Sequence, residues 1–132
     1  MAVELNHTIV PAHDPQASAQ FLADILGLAV DPPASHFTPV TLANQVTLDF
    51  DHADNVESHH YAFQLSDEEF EAAFGRITAR NITHYADPAC RQPGRVYASK
   101  NGRRGTYFRD PSGHLMEILT PVTAVADGPA GR

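Results

Sequence analysis

A chain of 132 residues with 42% hydrophobic composition can bury one ordinary core, and either half alone would be too short for comfortable stability. A formal net charge of −7 argues against nucleic acid as a partner despite Arg103-Arg104, because phosphate would be repelled everywhere else. No run of about 18 apolar residues offers a membrane span, and Met1-Ala2-Val3-Glu4 lacks a cationic, apolar leader, so a cytoplasmic protein without membrane partners is expected.

The charge is unevenly spread. Residues 1–75 hold 12 acids and no Lys or Arg, whereas residues 76–132 hold 9 cations and 4 acids. Either the halves attract one another, within a chain or between two chains, or the asymmetry is drift on a solvated surface. The single cysteine, Cys90, has no internal disulfide partner and is read as incidental.

In chain order, Leu5 to Val10 reads as a strand ended by Pro11. Asp14 then caps a helix with Pro15 at its first position; Phe21, Leu22, Ile25 and Leu26 form its apolar face and Gly27 stops it. Ala29-Val30 could add a short strand. Beyond Pro32-Pro33, the runs Phe37 to Leu42 and Val46 to Phe50 form a hairpin around Asn44-Gln45. Another strand follows through Tyr61, Phe63 and Leu65, and Ser66-Asp67-Glu68-Glu69 is a capping box opening a helix to Arg80 that buries Phe70, Ala73, Phe74 and Ile77. Asn81 to Gly105 is irregular. Thr106 to Arg109 and Leu115 to Thr120 then pair around Asp110-Pro111-Ser112-Gly113, before a small-residue tail from Val122 that should fray.

This order contains a repeat. At an offset of 53, His7 falls on His60, Asp14 on Asp67 and Phe21 on Phe74. Matching Thr47 onto Glu117 requires an offset of 117 − 47 = 70, which leaves about 17 extra residues in the second module as a possible pocket mouth. The expected fold is α+β: two paired βαβββ modules, residues 4–52 and 58–121, forming a cupped mixed sheet with helices outside, in one domain 1–121 followed by the tail 122–132. If the modules pair about a pseudo-two-fold axis, His7 and His60 meet.

Glu117 is a carboxylate inside the apolar run Leu115-Met116-Glu117-Ile118-Leu119. It is either a glutamate at a half-exposed rim or a ligand whose burial a cation compensates. With His7 and His60 it completes two imidazoles and one carboxylate on three strands, a set that leaves coordination positions open on a divalent ion such as Fe, Mn, Co, Ni or Zn. His59 should face the other way. His36 could line the cup, and Asp49 could point inward or be solvated. Arg103 and Arg104 could close over an anionic substrate or be plain exposed charges. His13, His52, His84 and His114 receive no chemistry.

Leu5-Asn6-His7, Phe21 with Leu26-Gly27-Leu28, His60-Tyr61-Ala62-Phe63, and Tyr107-Phe108-Arg109-Asp110-Pro111-Ser112-Gly113-His114 with Glu117 together resemble the vicinal oxygen chelate superfamily over residues 5–120. That superfamily includes glyoxalase I, fosfomycin-resistance and bleomycin-resistance proteins and type I extradiol dioxygenases. The resemblance implies paired modules, His7, His60 and Glu117 as ligands of one divalent metal ion per chain, a homodimer, and a small-molecule substrate that chelates the ion through vicinal oxygens. Glyoxalase I members carry a fourth carboxylate or amide ligand where the repeat match puts Thr47, so Thr47 is assigned to substrate contact, with Tyr107, which matches a substrate-contacting tyrosine of the fosfomycin group. That group has a small hydroxyl residue where this chain has Gly105. The expected activity is therefore dioxygenase-like before glyoxalase-like lyase or isomerase. The alternative is a non-catalytic binder, resembling the bleomycin-resistance members, that holds a cationic compound in its acidic half.

Overall fold

A computed structural model describes residues 2–123. The expected tail lies outside the described residues from position 124 on, and Thr123 still donates its backbone N–H to Asn101 O at 2.8 Å. The elements are β1 (His7–Ala12), α1 (Pro15–Leu26), β2 (Thr38–Thr41), β3 (Thr47–His52), β4 (His60–Gln64), α2 (Asp67–Ala79), β5 (His84–Tyr85), β6 (Tyr97–Ala98), β7 (Arg104–Arg109) and β8 (Leu115–Leu119). They make an α+β fold of two compact units, each a mixed sheet with one helix.

The first unit holds the residues up to Ser58 together with Asp110–His114. Its sheet runs β1-β3-β2, with β1 parallel and β2 antiparallel to β3. Asp14 caps α1 by accepting from Ala17 N at 3.1 Å, and Gly27 ends it in the left-handed region at φ 73°, which a glycine tolerates and a β-carbon resists. Small residues let α1 lie close on the sheet: Ser18, Ala19, Leu22, Ala23 and Ile25 are buried, with Val10, Ala12, Val40, Leu48 and Phe50 beneath them. The Asp110–His114 turn docks on this unit. His114 is wholly buried and donates from Nε2 to Pro11 O at 2.7 Å, while Ser112 Oγ accepts from His13 N at 3.0 Å. Asp110 accepts from the backbone N–H groups of Ser112 and His114, and burial raises its carboxyl above the ordinary range.

In the second unit, His59–Arg109 and the chain from Leu115 on, the sheet order is β4-β8-β7-β5 with β6 also on β7; β4 and β8 are parallel. The capping box forms with both hydrogen bonds, Ser66 N to Glu69 Oε1 at 3.0 Å and Glu69 N to Ser66 Oγ at 3.1 Å. Phe70, Ala73 and Ile77 are buried with Phe63, Phe108, Met116 and Ile118. The guanidinium of Arg104 joins α2 to β7, at 2.6 Å from Glu71, 3.3 Å from Asp67 and 4.8 Å over the Phe70 ring.

Three expectations are corrected. Ala29-Val30 forms no strand; the chain there is held by Asp31 N to Pro39 O at 2.9 Å. The irregular stretch contains β5 and β6, two-residue strands too short to show a period. The repeat offset also shifts in the last strands. His7 pairs with Thr47 and His60 with Leu115, and each ladder opens with the same bond, Thr47 N to Asn6 O and Leu115 N to His59 O. The offset is therefore 115 − 47 = 68, and Asp49, not Thr47, is the counterpart of Glu117.

Ser66→Ala should lower stability by about 1 kcal/mol, read from the shift of a urea midpoint. His114→Ala, which leaves the Pro11 carbonyl without its donor, should lower it by about 1–3 kcal/mol without altering metal content. A loss of bound metal in that variant would show that His114 does more than hold the turn.

Candidate metal centre

Glu117 sits on the sheet face opposite the buried Met116 and Ile118, and is itself only 6% exposed. Strand pairing supplies its neighbours: Ala62 lies beside it on β4 and Tyr107 beside it on β7. Ala62 is small, so the imidazole of His60, one pleat away on the same face, reaches across until Nε2 is 3.1 Å from Glu117 Oε1. Tyr97 Oη donates to the other carboxylate oxygen, Oε2, at 2.6 Å. The rings of His60 and Tyr107 are 5.8 Å apart and those of Tyr97 and Tyr107 5.9 Å, so three tilted rings flank the carboxylate.

The proton positions follow from the partners. His60 Nδ1 is 3.2 Å from Leu115 O, and a carbonyl can only accept, so Nδ1 carries a hydrogen and Nε2 is the nitrogen turned to Glu117. In the neutral ring its lone pair faces a carboxylate oxygen at 3.1 Å. Two acceptors so placed repel unless a positive charge lies between them, and a proton or a metal ion can supply it. The separation allows both atoms to bond one ion at about 2.0–2.2 Å each. Half of the His60 side chain stays exposed (47%), so that ion can be reached from solvent. The donor set therefore fits a divalent metal. Burial, then Glu117, pushes the Tyr97 phenol far up; burial, then the Glu117 charge, raises Tyr107, so both remain protonated donors.

His7 belongs to the first unit. It is exposed on β1, and its Nδ1 donates to Asn6 Oδ1 at 2.8 Å, which leaves Nε2 bare as in His60. Among the described residues no group of three His, Cys, Asp or Glu side chains is placed to hold a metal ion. The structure thus brings His60, Glu117 and Tyr107 together within the second unit and places His7 and Thr47 as direct ladder partners within the first.

Two residues that contact the candidate ligands are not legible in the sequence. Asn6, which accepts from His7, shows only as its neighbour, and Tyr97, which donates to Glu117, lies in the irregular stretch without a periodic signal. Arg103 and Arg104 are not free charges: Arg103 donates to Thr120 O at 2.8 Å and Gln64 Oε1 at 3.2 Å, and Arg104 is tied to α2. His36 is paired with Asp51 at 2.9 Å.

Comparison with known proteins fits this geometry. Residues 4–118 match the model of the Glyoxalase/Bleomycin resistance protein/Dioxygenase superfamily. The structure of Oxidase ChaP-H2 superposes with a TM-score of 0.89 at 49% identity, covering 94% of this chain and 98% of that one. Oxidase ChaP-H1 does so at 0.87 and 51%, covering 93% and 100%. Glutathione transferase FosA of Serratia marcescens is 26% identical over 125 residues, 89% of this chain and 81% of that protein. The chain belongs to the Glyoxalase/Bleomycin resistance protein/Dioxygenase superfamily.

Proposed function

We propose that the protein is a metal-dependent oxidoreductase, acting as a homodimer on a small planar molecule with two adjacent oxygens. The observation that carries this reading is His60 Nε2 held 3.1 Å from the buried Glu117 carboxylate while Nδ1 is committed to Leu115 O, an arrangement that a metal ion bonded to both atoms would satisfy. His7, with its own bare Nε2, is the third ligand. Held by these side chains, a divalent ion would supply Lewis-acid stabilisation of negative charge on the substrate oxygens.

The chain's own residues do the rest. Leu115 O and Asn6 Oδ1 fix the ligating tautomer of each histidine. Tyr107, held protonated, donates a hydrogen bond to a substrate oxygen, and its ring with that of His60 offers a flat face for an aromatic ligand. Thr47 is a further substrate contact. The oxidase assignment over a lyase or isomerase rests on the likeness to two proteins named oxidases at 49% and 51% identity. The sequence argument from a missing fourth ligand no longer supports it, because the ladder puts the carboxylate of Asp49 at the position equivalent to Glu117.

Protein purified without a histidine tag should contain about one divalent metal ion per chain. His60→Ala and Glu117→Gln should each abolish tight binding while the circular dichroism spectrum is kept; unchanged metal content in His60→Ala would remove that residue from the site. Calorimetry should show a catechol binding to the metal-loaded form and not to the chelator-treated form. Metal-independent uptake of an organic cation that falls steeply with salt would instead identify a sequestering protein.

A further inference from the structure

Tyr97 reaches Glu117 by an unusual route. It is the strand partner of Gly105 on β7, yet its hydroxyl bonds a residue of β8, the strand beyond. The ring must therefore lie across β7 at Gly105. A β-carbon there would come within 3.0 Å of Cζ, Oη and Cε2 of Tyr97, the rigid end of the side chain. Gly105 lies at φ outside the left-handed region, so backbone conformation does not call for glycine; the space for the ring does.

The two oxygens of Glu117 have divided duties. Oε2 receives the Tyr97 hydroxyl at 2.6 Å, a short bond of the kind a phenol makes to a carboxylate, and Oε1 alone faces His60 Nε2. A carboxylate with both oxygens free can chelate a metal ion through both and fill a position that substrate needs. A phenol bonded to one oxygen draws on that oxygen's lone pairs and holds the carboxylate's orientation, which favours binding through the other.

We infer that Tyr97, seated by Gly105, is a positioning residue that restricts Glu117 to single-oxygen coordination and orients it toward His60. This rests on the metal site proposed above. The loop that carries β6 thus contributes a specific support to the proposed ligand in addition to any role as a pocket mouth.

The test uses cobalt(II) with the purified full-length protein. Tyr97→Phe keeps the ring and loses the hydroxyl; cobalt affinity by calorimetry should fall about 10- to 100-fold. The visible absorption of the cobalt form should weaken as the freed oxygen raises the coordination number, a change that loss of packing alone would not produce. Gly105→Ala should give the same loss by displacing the ring, and the double variant should be no worse than either single one. Thermal unfolding identifies a variant that fails to fold, in which case Tyr97→Phe decides alone. Unaltered affinity and spectrum in Tyr97→Phe, with His60→Ala unable to bind, would overturn this inference and leave the metal site standing. Additive losses in the double variant would overturn the role of Gly105. Equal cobalt binding by His60→Ala and the unaltered protein would overturn both the site and the inference.

Discussion

The second unit is organised around one constraint: a carboxylate enclosed in an apolar strand has to be given partners, or its burial is strongly unfavourable. Strand pairing places Ala62 and Tyr107 beside Glu117, and the small side chain of Ala62 opens the path for His60. The partners at Glu117 are an imidazole and two phenols. The Leu115 carbonyl decides which imidazole nitrogen faces the carboxylate. A single backbone acceptor thereby leaves Nε2 as the nitrogen that shares a proton or a metal ion with Glu117. The same strand supplies both the carboxylate and the carbonyl, so the register of β4 on β8 sets the chemistry of the site.

The sequence made the helices and the two histidine strands legible because their signals are local. Asp14-Pro15, Gly27 and the Ser66–Glu69 box each act within one turn of chain, and the structure has all of them. The family resemblance likewise rested on short runs. Register was not legible: apolar alternation in Val46 to Phe50 and in Leu115 to Leu119 is unchanged by a shift of two residues, so Thr47 and Asp49 fit a counterpart of Glu117 equally well. Only the ladder bonds from Asn6 and His59 distinguish them. Tyr97 was hidden for a related reason. Its partner is 20 residues away, and β6 is held by pairing with β7 rather than by any pattern of its own.

Charge asymmetry acquires a different meaning once contacts are assigned. The arginines best placed to meet an anion are engaged inside the second unit, Arg103 with Gln64 and a backbone carbonyl, Arg104 with two acids of α2. Their attraction is local. In the first unit, which has no Lys or Arg up to Ser58, histidines are the side chains beside two of the acids: His36 pairs with Asp51 and His52 with Asp54. The Asp54 hydrogen bond and the His13 carbonyl raise the His52 pKa, so this unit grows less negative as pH falls through the histidine range.

The duplicated plan also accounts for how the halves differ. Both modules start from a histidine whose Nδ1 is held by an oxygen acceptor, and both place a carboxylate one pleat along the paired strand, Asp49 in one and Glu117 in the other. Glutamate has the longer reach, and only the second module carries β6, in a stretch between α2 and β7 that is 68 − 53 = 15 residues longer than its counterpart. Tyr97 comes from that longer stretch, and Gly105 gives it passage to the carboxylate. The longer stretch distinguishes Glu117 from Asp49 by adding a phenol donor to its carboxylate, and the glycine at 105 is the residue that permits it.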